Sequence, residues 1–105
     1  MKRGEIWLVN LNPVVGSEIR KTRPCVIVSP PEMNQYLRSA IVAPMTTKSH
    51  PAPFRIEVKH AGKKGLILLD QIRTVDQIRL VRKLGALQSK ILAATLRTLQ
   101  ETFAE

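Results

Sequence analysis

Six short apolar runs, each ended by turn-forming or polar residues, constrain this chain more than any other feature. They are "EIWLV", "CVIV", "AIVAPM", "FRIEVK", "LILL" and "RLVRKLG". Segments of that length bounded by Asn, Pro and Gly read as β-strands, since a helix needs a longer periodic stretch. In "EIWLV", Ile6 and Leu8 point one way and Trp7 and Val9 the other, so both faces are expected to be covered. "FRIEVK" alternates, with Phe54, Ile56 and Val58 inward and Arg55, Glu57 and Lys59 outward, as in a half-exposed antiparallel strand. Pro44 points to a sheet edge or a bulge. "PPEMNQYLRS" suits a short helical turn with Pro31 in its first turn, and "HAGKKG" suits a turn. "DQIRTVD" reads as a compact connector. From Ser89 the period changes. Leu92, Leu96, Leu99 and Phe103 recur at helical spacing, with Ser89 as a candidate N-cap. The expected fold is mainly β, a small antiparallel barrel or coiled sheet with a C-terminal helix packed on it, in one domain over residues 1–105.

The chain has 105 residues and 44% hydrophobic content, enough for a core without disulfides or metal. A domain of this size hides only about 60–70% of its unfolded surface, which leaves room for a stabilising partner chain. Cys25 is the only cysteine. It lies inside an apolar run and is expected to be an inert core thiol. His50 and His60 stand in two loops with no cysteine pair nearby, so surface histidines and no metal site are expected. No Walker-type phosphate loop is present, and no cofactor is implied. No segment has the apolar length of a secretory signal or of a membrane span, and a cytoplasmic protein with no membrane role is expected. The net charge of +9 and pI near 10.5 call for a polyanionic partner.

One stretch carries chemistry. "GSEIRKTRPCVIVSP", residues 16–30, mounts Glu18, Arg20, Lys21 and Arg23 at the mouth of an apolar strand. A phosphodiester cut by its own 2′-hydroxyl needs a base for that hydroxyl, donors for the charge growing on the phosphoryl oxygens, and a proton for the leaving oxygen. Glu18 suits the base, and the planar fork of Arg23 suits the phosphate. Pro24 restricts the backbone beside it. Ordinary solvated loop charges are the alternative at this point.

The chain also resembles the MazF/PemK family, the ribosome-independent RNA-cleaving toxins of type II toxin–antitoxin pairs. The resemblance runs through "KRGEIWLVNLNPVVGSE", "KTRPCVIVS", "IVAPMTT" and "LLDQIRTVDQIRL", in order and over nearly the whole length. It implies an SH3-like barrel of the MazF/CcdB toxin type, a homodimer, a groove for single-stranded RNA at the dimer interface and a cognate acidic antitoxin. It further implies metal-independent cleavage leaving a 2′,3′-cyclic phosphate and a 5′-hydroxyl. Arg23 matches the family's catalytic arginine before proline, Thr46 the threonine that ends the third strand, and Glu18 the glutamate of Gly-Ser-Glu. Ser17, Arg20, Lys21, Thr47, Lys48 and Gln71 are the implied RNA-binding positions. Ile19 stands where many members have Gln, and Leu68 where some have Arg. A CcdB-like toxin that binds DNA gyrase without cutting RNA, or a barrel that binds RNA without cutting it, are the competing readings.

Overall fold

The structure, a computed structural model, describes residues 1–12 and 21–105. Ser17, Glu18, Ile19 and Arg20 lie outside the described residues. The strands are β1 (Glu5–Asn10), β2 (Thr22–Ile27), β3 (Ser39–Thr46), β4 (Arg55–His60), β5 (Lys63–Leu68), β6 (Arg73–Asp76) and β7 (Leu80–Ala86). Helix α1 covers Pro31–Tyr36 and α2 covers Ser89–Phe103. All strand pairs are antiparallel, in the order β4-β5-β3-β2-β1-β7, with β6 also paired to β3. The result is the expected coiled β sheet with a C-terminal helix.

β3 organises the sheet. One edge pairs with β2, Val42 opposite Ile27 and Pro44 opposite Cys25. The other edge pairs first with β6, over Ser39–Val42, and then with β5, at Met45 and Thr46. Pro44 falls at that changeover. It was expected at an edge or bulge, but it is fully buried in a central strand. The gap between the β6 and β5 ladders tolerates a residue with no N–H.

Both faces of the sheet are covered, which is why "CVIV" does not alternate. Val26, Val28, Ala43 and Met45 pack with Ile6, Ile67 and Leu69 on one face. Cys25, Ile27, Ala40 and Val42 pack with Val9, Leu11 and Val75 on the other. Each such Val, Leu or Ile contributes about 1.5–3 kcal/mol on burial. Trp7 is half-buried against the second cluster.

Several expectations need correction. "DQIRTVD" is not only a connector, because its second half is β6. Lys63–Gly65 belong to β5, so the turn after β4 is only Ala61–Gly62. Phe54 does not point inward; it precedes β4 and is 42% exposed, while Ile56 and Val58 do pack on the core. Arg55 is not a free outward charge. Its Nε and Nη2 donate to the two Asp70 carboxylate oxygens at 3.1 and 2.9 Å, tying β4 to the turn after β5. Ser89 is the first helical residue rather than the cap. Gln88 occupies the cap position and makes no side-chain bond there. α2 packs on the core through Ile91 and Leu99, whereas Phe103, one turn later, is 72% exposed. The buried centre of α2 is Thr95, whose hydroxyl donates to the Ile91 carbonyl at 2.8 Å and so needs no outside partner.

Candidate functional site

Arg23 enters the sheet at the start of β2, opposite Val9 of β1. Continuing the β2–β3 register two residues past Cys25–Pro44 brings it opposite Thr46, the last residue of β3. The two side chains line one surface hollow of about 380 Å³. Pro24, Met45, His60 and Lys63 contribute to its wall. Arg23 is half-buried, and its Nε is a buried donor with no hydrogen-bond partner among the described residues. Leaving such a donor unmet costs about 1–3 kcal/mol, a cost that an oxygen-rich ligand reaching it would remove.

Thr46 is held from two sides. Its Oγ1 accepts the Lys48 backbone N–H at 3.2 Å, which turns the chain sharply after β3. Behind it, β5 passes so closely that a Cβ on Gly65 would lie 2.8 Å from the Thr46 carbonyl oxygen. Only glycine allows that approach. Thr47 and Lys48 are exposed beyond the turn.

Lys21 closes the entrance to β2. It adopts a left-handed backbone, φ 69°, its N–H donates to Asn12 Oδ1 at 3.1 Å, and its carbonyl accepts the Leu11 N–H at 3.0 Å. Two arginines brace the same stem from β6 and from the turn after it. Arg73 Nη1 donates to the Leu11 carbonyl at 3.0 Å, and Arg79 Nη1 donates to the carbonyls of Asn10 and Asn12. Gln71 ends a one-turn 3-10 helix, Leu69–Gln71, and is half-buried. Asp70 beside it is engaged by Arg55, which holds its carboxyl below the usual carboxylate range. Leu68 is fully buried and belongs to the core. Ser17, Glu18 and Arg20, expected in the site, lie outside the described residues.

Cys25 is no nucleophile. It is fully buried, and burial pushes its thiol up to about 12 despite the charge of Arg73. Among the described residues, no group of three or more His, Cys, Asp or Glu side chains is arranged to hold a metal ion. His50 is exposed as expected, but His60 is half-buried in the wall of the hollow. Sequence reasoning missed His60, Lys63, Arg73 and Arg79. The alternation of "FRIEVK" carried to its end would have put His60 on the same side as Val58. No local signal marks the two arginines.

A second hollow, of about 660 Å³, adjoins the first and shares Thr46, Thr47, Val58, His60 and Gly65 with it. Its floor is apolar, from Ile6, Leu87 and Ile91. It is the larger of the two, but Arg23 lines only the smaller one.

Residues 2–103 match the family model of the PemK-like, MazF-like toxins of type II toxin–antitoxin systems. The chain is 40% identical to endoribonuclease MazF of Staphylococcus saprophyticus, over 86% of this chain and 80% of that protein. It is 34% identical to endoribonuclease EndoA of Bacillus subtilis, over 99% of this chain and 95% of that protein. Its fold superposes on a crystal structure of MazF from Deinococcus radiodurans with a TM-score of 0.85 at 24% identity, covering 97% and 94% of the two chains. Sequence and fold therefore agree, and the chain belongs to the PemK-like, MazF-like family of toxins of type II toxin–antitoxin systems.

Proposed function

We propose that this endoribonuclease-family toxin cuts single-stranded RNA at selected sequences, without ribosome or metal, by attack of a 2′-hydroxyl on the adjacent phosphodiester. The new 2′-O–P bond forms as the P–O5′ bond breaks. The hydroxyl proton goes to a base, and the departing oxygen takes up a proton to become a 5′-hydroxyl. The products are a 2′,3′-cyclic phosphate and a 5′-hydroxyl end. The nucleophile belongs to the substrate, so the protein must supply only charge stabilisation and proton transfer. The observation that carries the reading is the buried Nε of Arg23, which has no partner among the described residues, in the hollow that Thr46 also lines. A phosphoryl oxygen would satisfy that donor, with Thr46 beside it. Glu18 serves as the base, and Ser17, Arg20, Lys21, Thr47, Lys48 and Gln71 bind flanking RNA.

The active form is a homodimer, and the partner that silences it is an acidic antitoxin whose extended tail covers Arg23. The charge of +9 supports an acidic partner. An antitoxin partner is in keeping with the likeness in fold to a mycobacterial endoribonuclease solved in complex with its cognate antitoxin (TM-score 0.80, 19% identity, 96% and 92% of the chains). The setting is cytoplasmic; no helix among the described residues is long and apolar enough to cross a membrane.

The test is cleavage of RNA in EDTA. Cutting should persist, and RNA carrying 2′-deoxy or 2′-O-methyl at the cleaved nucleotide should resist. Arg23→Ala should lower turnover by on the order of 100-fold or more, and Arg23→Lys should not restore it, because a point charge does not replace the fork. Thr46→Val should impair cleavage in a folded protein. Equal cutting of 2′-deoxy RNA would refute the nucleophile, full turnover by Arg23→Ala would remove that residue from the site, and RNA bound but never cut would leave a binding barrel.

A further inference from the structure

The β4–β5 hairpin ends with four cationic or titratable side chains set against one another. Its turn is Ala61–Gly62, with φ 52° and 78°, the two-residue form that fixes register. That register places Lys59 across from Lys64 and His60 across from Lys63. Directly opposed side chains share a face with Cβ atoms about 4.5–5.5 Å apart, and like charges there destabilise a hairpin. The tight turn prevents the strands from slipping to relieve the conflict. The ion pairs among the described residues are Arg55–Asp70 and Lys83–Glu5, so none of the four has one. Glu57, the one carboxylate on the hairpin, lies opposite Leu66.

The four side chains line the two hollows, with His60 at both. His60 and Lys63 line the hollow of Arg23 and Thr46, and Lys59 and Lys64 line its neighbour. From this we infer that the hairpin end is a backbone-reading arm of the RNA site, an inference that rests on the RNA-cleaving function proposed above. Lys63 contacts the phosphate beside the one held by Arg23. Lys59 and Lys64 contact phosphates farther along, as the strand crosses from the smaller hollow to the larger. A chain with one charge per nucleotide suits this arm, because each cation neutralises a phosphate whatever the base. An acidic peptide suits it less well. The arm carries charge on both faces, which a strand with a phosphate at every nucleotide meets evenly and a peptide with scattered carboxylates does not.

The arm predicts opposite effects on stability and binding. Lys64→Glu converts the Lys59–Lys64 repulsion into attraction, so the thermal midpoint should rise by a few degrees. Affinity for an uncleavable, 2′-O-methyl single-stranded RNA should fall about tenfold in the same variant. In a salt series, the slope of log affinity should flatten by about one unit for Lys63→Gln and by one to two for Lys64→Glu. Parental affinity and slope in both variants would overturn the arm, as would lost affinity for an acidic antitoxin with RNA binding intact. A lower midpoint for Lys64→Glu would overturn the opposed-charge argument. Cleavage of unmodified RNA by the unaltered protein, run alongside, reports on the RNA-cleaving function separately. If that protein binds RNA but does not cut it, the proposed activity fails while the arm stands.

Discussion

Gly65→Ala is a one-carbon change whose effect on Thr46 follows from distances. The added Cβ would stand 2.8 Å from the Thr46 carbonyl oxygen and 3.4 Å from its carbon. Comfortable C···O contacts begin at about 3.3 Å, so β5 must back away from the end of β3 by about half an ångström. Both atoms it meets are backbone, so no side chain can rotate aside. Overpacking of this kind costs about 1–3 kcal/mol. Restricting the unfolded chain returns about 0.4–1 kcal/mol, leaving a net loss of about 1–2 kcal/mol and a thermal midpoint lower by on the order of 5–10 °C. The second consequence is functional. Thr46 sits at the point that must move, and a misplacement of about 1 Å at a reacting centre can cost on the order of 100-fold. Half that displacement should lower turnover about tenfold. The assay is calorimetry for the midpoint, then single-turnover RNA cleavage well below it, so that the folded fraction is the same in both proteins. A parental midpoint would refute the close approach. A lowered midpoint with parental turnover per folded molecule would show that the position of Thr46 does not matter to the reaction.

Two further perturbations test other contacts. Glu5 is buried, yet its carboxyl is lowered to about 2: burial raises it, but bonds from Lys83, the Trp7 indole and the Lys2 N–H prevail. Its stabilisation is therefore present above the ordinary value near 4.5 and is lost as pH falls from there toward about 2. Glu5→Gln should cost about 1–2 kcal/mol at neutral pH, and the gap to the parent in urea unfolding should close over that acid range; a gap independent of pH would refute an ionised Glu5. Arg73→Gln and Arg79→Gln should each release carbonyls of residues 10–12, so amide exchange at Leu11 and Lys21 should speed up about tenfold while Val26 and Val42 keep their protection. Uniform change across all four amides would mean that the two arginines serve global stability instead.

Most strands were legible because each run has the composition and length of a strand and ends in turn chemistry. β6 was hidden because Arg73–Asp76 is only four residues long, carries one buried side chain, Val75, and follows a turn-like Asp-Gln. Pro44 misled because proline reports only that a donor is missing, not which edge lacks the need for it. Arg23 could be put forward as a site residue from its own chemistry, since an arginine fixed by proline at a strand mouth suits a phosphate, with solvated loop charge as the alternative. Thr46 could not. Alone it is a strand-end residue, and only the β2–β3 register brings it across from Arg23. His60 and Lys63 were illegible for a similar reason, since their place depends on where a two-residue turn lets the hairpin end fall.

The stem made by residues 10–12 and 21–22 bears on how such a toxin can change what it recognises. Its ends are fixed by the Asn10–Thr22 pairing, the Leu11–Lys21 bond, and the grip of Arg73 and Arg79. None of these contacts involves residues 13–20. Doubling the length of a segment between fixed ends costs only about 0.6 kcal/mol. Under the proposed function, a change in the length of that segment would therefore be one route to a different RNA motif, open where Glu18 or an equivalent base is kept, while the stem continues to place Arg23.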